Sequence, residues 1–339
     1  MDRLARKQAT TSRGYTYTYY HLPQSLDTRT STNAQIPKPT LLLLHGFPDT
    51  HALWSRLLPS LLPTGYPLLI PDLLGYGDTS KPLTPEAYNS KSMATDLINI
   101  LDHENITKII PIGHDWGSYM AQRMYLWYPE RVAGLGMLNI AYDPPAPFDL
   151  GAANATLEKA TGLPRLAYWE FFSDPNCAEI LERNLDSWFE ALHGSPENWL
   201  ERLFCHRGAL VGFVGGGERV PVHTYAEALR GEWKDIFEQS GFAGPLNWYL
   251  VKVLGQQWEV EKELPRERYV VTVPTLFVGA SRDTVCTTDA IEIPRKQGLL
   301  PELAVREVDS GHWPVLEAPE ETGEVIVAWL REREEGFLS

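Results

Sequence analysis

The sequence predicts an α/β protein in which a mostly parallel central sheet is flanked by helices and interrupted by an inserted helical segment. Short, continuously apolar runs alternate with helix-like runs in the first and last parts of the chain, a pattern typical of buried parallel strands joined by helices. The middle of the chain is rich in Trp and Phe and lacks strong strand signals. We therefore expect residues 1–144 and 266–339 to form one core, and residues 145–265 to form a helical cap.

The first part of the chain is predicted to open with a strand pair, because Thr and Tyr alternate over residues 15–21. Residues 28–39 are polar and flanked by proline, so we expect a loop or a hairpin tip there. Further strands are predicted at residues 40–44, 68–70, 109–112 and 132–138, and helices at residues 54–62, 90–101 and 118–127.

The cap is expected to be helical because its apolar residues recur at helical spacing. Residues 214–218 contain three glycines and predict a flexible loop, or alternatively a hinge that gates access. The core pattern then resumes with predicted strands at residues 273–279 and 303–308 and a final helix at about residues 320–332. The cap residues that carry the helical spacing are Leu181, Leu185, Trp188, Phe189 and Leu192.

Composition narrows the classes of partner and compartment. The 339 residues carry a net charge of -14, which argues against nucleic acid or an anionic membrane as a partner. The three cysteines lack any C-x-x-C spacing, which favours a reducing compartment, the cytoplasm, and no disulfide framework. The polar, basic N-terminal residues predict no secretion signal, and no apolar run reaches membrane-spanning length. The sequence leaves open whether the protein is a monomer or a homodimer.

The most informative motif is Gly113-His114-Asp115-Trp116-Gly117, which lies between a predicted strand and a predicted helix. A sharp strand-to-helix turn with flanking glycines is the nucleophile elbow of α/β-hydrolases, whose usual pattern is G-x-S-x-G. With Asp in the central place, the carboxylate is already ionised at neutral pH and can attack an sp³ carbon, leaving an alkyl ester on the enzyme. An Asp between glycines is also an ordinary turn residue, so the other motifs must support the catalytic interpretation.

An acid and a histidine follow the elbow in the chain order expected of such hydrolases. Asp283 follows one late predicted strand and His312 follows the last, which puts both at the carboxyl edge of the sheet. A helix N-cap and a surface-loop histidine are the alternative interpretations. Because Asp115 needs no activation, we expect His312 to activate the water that cleaves the ester, with Asp283 orienting the imidazole ring. The backbone N–H groups of Phe47 and Trp116 are expected to hold the oxyanion.

These motifs, together with His45-Gly46-Phe47-Pro48 and the Gly-rich loop of residues 72–80, resemble the α/β-hydrolase-fold epoxide hydrolases. The resemblance covers most of the chain from about residue 40. The chain is similar to the short, soluble, microbial or fungal members of the family, which lack an N-terminal phosphatase domain. It implies hydrolysis of an epoxide to a vicinal diol, with neither cofactor nor metal. It also implies that two cap tyrosines bind and protonate the epoxide oxygen.

The two tyrosines are assigned from their segments. Tyr249 ends Gly244-Pro245-Leu246-Asn247-Trp248-Tyr249, and Tyr168 opens a Y-x-x-x-F-x-x-P segment at residues 168–175. Amphipathic packing is the alternative role for a cap tyrosine. Four further side chains are expected to line the pocket and suggest an apolar or aromatic epoxide: Phe47, Trp116, Phe172 and Trp313.

Two other function classes remain open at this point. Haloalkane dehalogenases also use an Asp nucleophile, and although Phe47 stands where they need a halide donor, the Trp116 indole could bind halide. Fluoroacetate-type dehalogenases favour an Arg directly after the nucleophile, where this chain has Trp116. A ligand receptor that does not turn over its ligand also fits the fold, but the complete set of catalytic residues disfavours it. No P-loop, dinucleotide motif or metal-spaced His/Cys cluster is apparent, so no cofactor is expected.

Overall fold

The computed structural model describes Met1, residues 3–24 and residues 37–337. Within these ranges, eight strands form a single sheet in the order β1-β2-β4-β3-β5-β6-β7-β8. The two pairs that involve β2 are antiparallel and the others are parallel. The strands are β1 (Ala5–Thr10), β2 (Thr16–Leu22), β3 (Thr40–Leu44), β4 (Leu68–Pro71), β5 (Ile109–His114), β6 (Leu135–Leu138), β7 (Thr275–Ala280) and β8 (Leu303–Val308).

The predicted α/β fold with a mostly parallel sheet is confirmed. The predicted strand pair is β1 and β2, and β3 has the predicted bounds. Two strands begin later than predicted. β7 begins at Thr275 and not at residue 273. β6 begins at Leu135, because a 3-10 turn at Pro129–Arg131 precedes it and Val132 forms only an isolated bridge with Ile109. Of the loop expected at residues 28–39, residues 28–36 lie outside the described residues.

Helices cover the sheet and fill the segment between β6 and β7. The helix α3 begins directly after β5 and packs across β5 and β6, while α2 packs on α3. The helices are α1 (Leu58–Leu61), α2 (Ser90–His103), α3 (Trp116–Trp127), α4 (Leu150–Thr161), α5 (Tyr168–Phe172), α6 (Cys177–Arg183), α7 (Leu185–His193), α8 (Trp199–Phe204), α9 (Ala209–Gly215), α10 (Thr224–Glu227), α11 (Arg230–Ser240), α12 (Asn247–Val253), α13 (Gln256–Glu261), α14 (Glu292–Lys296), α15 (Pro314–Glu317), α16 (Pro319–Glu332) and α17 (Glu334–Phe337).

The segment between β6 and β7 carries the ten helices α4 to α13. The residues that recur at helical spacing between Leu181 and Leu192 lie on two helices, α6 and α7, which are divided at Asn184, whose ψ of 40° leaves the helical conformation. The glycine-rich stretch predicted as a loop is also partly helical, since α9 runs as far as Gly215. Short helices dominate because Gly and Pro interrupt this part of the chain repeatedly.

Tryptophan side chains tie this helical segment to loops of the sheet. The Trp233 indole N–H donates to the Pro48 carbonyl at 3.0 Å, and the Trp248 indole N–H donates to the Leu74 carbonyl at 2.9 Å. Each bond joins a buried aromatic ring to a loop that follows a parallel strand. The helical segment therefore lies over the carboxyl edge of the sheet, where a site is expected.

A buried ion pair forms a second link between the two regions. The guanidinium of Arg123 on α3 donates from Nε to Glu261 Oε1 on α13 at 2.7 Å, with both side chains almost fully buried. Arg123 Nη1 also donates to the Asp143 carbonyl at 2.7 Å. This cluster fixes the helix that follows the elbow against the end of the helical segment. None of the helices in the described ranges is long and apolar enough to cross a membrane.

Candidate active site

Asp115 lies in the sharp turn between β5 and α3, with φ of 53° and ψ of -125°. A positive φ is strained for a residue with a side chain and persists only where its surroundings enforce it. The flanking glycines are required by space: a Cβ at Gly113 would lie 2.0 Å from the Gly117 carbonyl oxygen, and one at Gly117 would lie 2.0 Å from the Leu44 carbonyl oxygen. The turn therefore presents the Asp115 side chain at the carboxyl edge of the sheet, as the motif predicts.

One oxygen of Asp115 is held by the loop after β3. The Phe47 backbone N–H donates to Asp115 Oδ1 at 2.8 Å. Gly46 permits this approach, because a Cβ at that position would lie 2.4 Å from the same oxygen. The second expected donor, the Trp116 N–H, is the first amide of α3, and its role stays a prediction.

The loop after β3 is in turn fixed to the Gly-rich loop after β4. His45 Nε2 accepts a hydrogen bond from the Leu73 backbone N–H at 2.9 Å, and His45 Nδ1 lies 2.9 Å from the Gly46 carbonyl. These partners require a neutral ring with the proton on Nδ1. Burial lowers the pKa of His45 to about 4, which keeps the ring in that neutral form. The two loops that carry the family resemblance therefore support each other.

Asp283 and His312 meet at the same edge. His312 Nδ1 lies 2.7 Å from Asp283 Oδ2, and His312 Nε2 lies 3.7 Å from Asp115 Oδ2. The backbone N–H groups of Val285 and Cys286 each donate to Asp283 Oδ1 at 2.9 Å, which also fixes the acid. The structure thus brings the three predicted residues together, although β5, β7 and β8 carry them far apart in the sequence.

The pKa values of Asp283 and His312 indicate the charge state of the site. Burial opposes ionisation of Asp283, but the charge of His312 and the hydrogen bonds outweigh it and lower the pKa of the acid. Burial likewise opposes protonation of His312, but the negative charge of Asp283, the hydrogen bond to it and the nearby Asp115 carboxylate raise the pKa of His312 well above the ordinary value. The resting site therefore favours an imidazolium between two carboxylates.

Asn139 is a member of the site that the sequence reasoning missed. It follows β6 with φ of 66°, and its side-chain amide donates to Asp283 Oδ2 at 2.8 Å and to the His312 carbonyl at 3.1 Å. Its place directly after a parallel strand was a usable signal, because the carboxyl ends of neighbouring strands share one edge. Asn139 positions the acid and the histidine without touching the expected substrate position.

The two tyrosines also reach this site. Both rings border a cavity that contains Asp115 and His312, and the ring centroids lie 6.1 Å apart. Burial raises the pKa of each phenol well above 10, and the charge of Asp115 adds to the shift in both. A hydrogen bond with the Trp116 side chain opposes the shift at Tyr249. Both phenols are therefore protonated at neutral pH.

The cavity itself is small, about 30 Å³, and mostly aromatic or aliphatic. Three of the four expected pocket residues, Phe47, Phe172 and Trp313, line it. Trp116 packs behind Tyr249, with the ring centroids 5.0 Å apart. The complete wall consists of Phe47, Asp115, Tyr168, Phe172, Leu192, Leu200, Phe204, Tyr249, Val285, His312 and Trp313.

Asp49 is a second residue that the sequence reasoning missed. Trp313 Nε1 donates to Asp49 Oδ2 at 3.1 Å, so this carboxyl fixes the ring next to His312. Burial raises the pKa of Asp49 to about 7. The sequence offered only a weak signal for Asp49, because this residue follows His45-Gly46-Phe47-Pro48 but belongs to no recognisable motif.

One set of side chains near the acid has metal-ligating chemistry. Asp283, Cys286 and His312 each place a donor atom within 4.8 Å of the others. Burial raises the pKa of the Cys286 thiol to about 11, so the thiol stays protonated, and Asp283 and His312 already bond to each other. The arrangement fits a hydrogen-bonded acid–histidine pair better than a metal centre.

Comparison with known proteins supports the resemblance to the α/β-hydrolase-fold epoxide hydrolases. The family model described as alpha/beta hydrolase fold matches residues 39–319. "Epoxide hydrolase 3" of Siraitia grosvenorii is 30% identical over 257 residues, which are 72% of this chain and 75% of that protein. This chain belongs to the epoxide hydrolase family of the α/β-hydrolase fold.

Some relatives of this epoxide hydrolase are much longer than this chain. "Bifunctional epoxide hydrolase 2" of Mus musculus is 31% identical over 86% of this chain but only 52% of its own length. The chain therefore spans about half the length of the mammalian relatives that it matches. Among solved structures, an epoxide hydrolase from an endophytic Streptomyces aligns with a TM-score of 0.80 and 25% identity, covering 99% of this chain and 97% of the other.

Proposed function

We propose that this protein hydrolyses an epoxide to a vicinal diol through an alkyl ester on Asp115. The observation that carries the proposal is the division of the Asp115 carboxylate. Oδ1 accepts the Phe47 N–H at 2.8 Å, whereas Oδ2 lies 3.7 Å from His312 Nε2, and Asp115 lines the same cavity as His312, Tyr168 and Tyr249. Oδ2 is therefore the attacking atom, and Oδ1 already occupies the position that the oxyanion needs.

In the first step, Asp115 Oδ2 attacks an epoxide carbon and the ring C–O bond breaks. Tyr168 and Tyr249 donate hydrogen bonds to the ring oxygen, and one of them gives it a proton as it becomes an alkoxide. Loss of the Asp115 charge lowers the pKa of both phenols, because that charge contributes to raising them. The phenols thus become stronger acids as the alkoxide forms.

In the second step, His312 accepts a proton from water, which attacks the Asp115 carbonyl carbon. Oδ1 becomes the oxyanion on the Phe47 N–H, and the Trp116 N–H is proposed as its second donor. The tetrahedral intermediate breaks its bond to Oδ2, which leaves with the diol and takes the proton from His312. The proton released when the new carboxyl group ionises restores the tyrosine.

We also propose a division of the chain that suits this chemistry. Residues 1–144 and 266–339 form the core that supplies Asp115, Asp283 and His312, and residues 145–265 form the cap that supplies both tyrosines. All of these groups come from one chain, which suits a monomer or a homodimer. The three free cysteines support a reducing location, and we propose the cytoplasm. The aromatic cavity wall supports a substrate that is apolar around its reacting ring.

The intact mass of His312→Gln after exposure to a panel of epoxides and haloalkanes tests this proposal. This variant should alkylate but fail to hydrolyse, so its mass should rise by that of a whole epoxide, with the added group on Asp115. Asp115→Asn combined with His312→Gln is the matched control and should gain nothing. A gain equal to a haloalkane less its hydrogen halide would instead identify a dehalogenase. Absence of any adduct would contradict the proposed nucleophile.

A further inference from the structure

A second, larger cavity adjoins the one that contains Asp115. Its volume is about 570 Å³, against about 30 Å³ for the inner cavity, and we refer to the two as the outer and inner chambers. The chambers share four wall residues, which form a neck between them: Leu192, Leu200, His312 and Trp313. A substrate that reaches Asp115 from the outer chamber must pass this neck.

The inner chamber has little room beyond the reacting ring. A volume of about 30 Å³ holds roughly two waters, comparable with the three heavy atoms of an epoxide ring. Aromatic rings that are not shared with the outer chamber pack against one another in its wall: the centroids of Phe172 and Tyr249 lie 4.8 Å apart, and those of Tyr168 and Phe204 lie 5.1 Å apart. The fully buried Trp188 packs behind Phe172. A substituent on the far side of the ring would have to displace this packing, which is costly in a close-packed interior.

The outer chamber is roomy, and its walls carry polar and charged side chains. Leu192 and residues 194–200, 223 and 225 of the helical segment form one wall, and core residues 282, 284, 311–313 and 317 form the other. The charged groups of the core wall already have partners: Glu317 accepts the backbone N–H groups of Gly311 and Trp313 at 2.8 and 3.1 Å, and Arg282 is paired with Asp309. Glu317 thus holds the backbone of this wall, and the exposed charge of Arg282 is balanced by Asp309.

The mouth of the outer chamber is polar and open to water. Glu197, Asn198 and His223 are exposed there, and among the residues that the structure describes their side chains form no hydrogen bond or ion pair. Glu197 and the net charge of -14 disfavour an anionic group at this point. The chemistry of the mouth suits uncharged hydrogen-bonding groups such as hydroxyls or amides.

From this asymmetry we infer the substrate class: a terminal epoxide whose single substituent passes the neck and ends in an uncharged, hydrogen-bonding tail in the outer chamber. The inference rests on the proposed function and deepens it. The unsubstituted end of the ring faces the closed aromatic wall, and the substituted carbon faces the neck. The outer chamber is thus a binding subsite for the tail, and the inner chamber selects against internal epoxides.

Two isomeric substrates test the inference. One is a terminal epoxide with a hydroxyl group at the far end of its alkyl chain, and the other has the ring moved one carbon inward, in the trans configuration. We expect kcat/KM to be about 100-fold higher for the terminal isomer, since one misplaced methyl group in a closed pocket costs about 10- to 200-fold. Equal rates for the two isomers would overturn the chamber assignment while leaving epoxide hydrolysis intact. Failure of both isomers to turn over, or to alkylate His312→Gln, would overturn the proposed function itself.

Variants locate the selection in the inner chamber. Phe204→Ala enlarges that chamber and should shift the ratio of the two rate constants about tenfold toward the internal isomer. Phe337→Ala is the matched control, because Phe337 is a buried ring that packs on Trp329, and neither residue lines a chamber. The ratio of kcat/KM for the two isomers should be the same in this variant as in the wild type. Because both substrates are measured on the same enzyme sample, a loss of folded protein lowers both rate constants equally and leaves their ratio unchanged. An identical ratio in Phe204→Ala and the wild type would contradict the inner-chamber role.

The tail is tested by replacing the terminal hydroxyl with a carboxylate. The carboxylate substrate should have a higher KM than the hydroxyl substrate, with kcat less affected, because the reacting ring is the same. A lower KM for the carboxylate would show that the outer chamber binds anions and would overturn the assignment of a neutral tail.

Discussion

The two oxygens of Asp115 have different surroundings, and this difference assigns their roles. Oδ1 receives a backbone N–H from Phe47, whereas Oδ2 faces His312. A serine in this turn would need His312 as its base before attack, but a carboxylate does not. In the proposed mechanism His312 is therefore free for the second step, and its protonation state decides when that step can begin.

Loss of the phenol donors should slow ester formation. Tyr168→Phe and Tyr249→Phe should each lower the rate of Asp115 alkylation by about 100-fold, the usual value of a positioned acid, and the double variant should abolish it. Rapid mixing with His312→Gln as background isolates this step. Tyr142→Phe, which removes a buried phenol bonded to the Tyr269 carbonyl, serves as control. An unchanged rate in either single variant would remove that tyrosine from the mechanism.

The raised pKa of His312 should fall when Asp115 loses its charge. In the resting enzyme, burial lowers this pKa, but the charge of Asp283 and the interactions of the ring with the Asp115 and Asp283 side chains outweigh it. Asp115→Asn, which is neutral like the ester, should therefore titrate His312 at lower pH than the wild type. NMR of the imidazole nitrogens measures the difference, and the exposed Asp309→Asn should resemble the wild type.

The same shift predicts the pH dependence of the second step. Hydrolysis of the ester should accelerate as the pH rises through the lowered pKa of His312 and level off above it, because only the neutral ring accepts a proton from water. Single-turnover measurements across pH follow this step. A rate that fell over the same range would contradict the role of His312 as base.

At the scale of elements, the strand–turn–helix unit of β5 and α3 depends on glycines that leave no space for a side chain. The buried Arg123–Glu261 pair then fixes α3 against α13. Because water is excluded from this pair, either charge left alone would be costly. Loss of one member of this pair should therefore lower the free energy of unfolding more than loss of a member of an exposed ion pair.

Removing one member of that pair should destabilise the protein. Glu261→Gln should lower the free energy of unfolding by about 3 kcal/mol, since it leaves a buried guanidinium without its counter-charge. Urea unfolding followed by circular dichroism measures the change. The control is Glu259→Gln, which breaks an exposed pair with Lys262 and should cost less than about 0.5 kcal/mol. Equal losses in both variants would show that the buried pair has no special weight.

At the scale of the whole molecule, the packing around the site and within the helical segment covers two of the three cysteines completely. Cys177 and Cys205 are fully buried and Cys286 is half-buried. Burial raises the pKa of the Cys205 thiol to about 12 and that of Cys286 to about 11. Thiolates, the reactive form, are therefore scarce at neutral pH.

Thiol reactivity should report this packing. In urea all three thiols should react rapidly with an aromatic disulfide reagent, whereas in the native protein at neutral pH the reaction should be slow and start with Cys286. Cys286→Ser should remove the first native phase and leave two thiols in urea. A rapid native reaction that persists in Cys286→Ser would show that the helical segment opens far enough to expose Cys177 or Cys205.

The sequence by itself determined the fold class, the strand order of the core segments along the chain, and the identity of the triad candidates. These features are local: apolar runs make buried strands, and a strand–turn–helix motif with glycines has one compatible geometry around Asp115. The prediction failed where local pattern was ambiguous. The strand predicted from residue 132 begins late, because Val132 has strand propensity without a full set of neighbours to pair with. Helical spacing likewise does not show that the backbone turns at Asn184.

Only the tertiary structure decided which distant residues complete the site. Asn139 and Asp49 have no motif of their own, and they join it because β6 and the loop after β3 end beside Asp283 and Trp313. The same holds for the two chambers, whose unequal sizes arise from rings brought together across the helical segment and the core. Such contacts depend on packing between segments more than a hundred residues apart, and no periodicity or short motif in a single sequence encodes that packing directly.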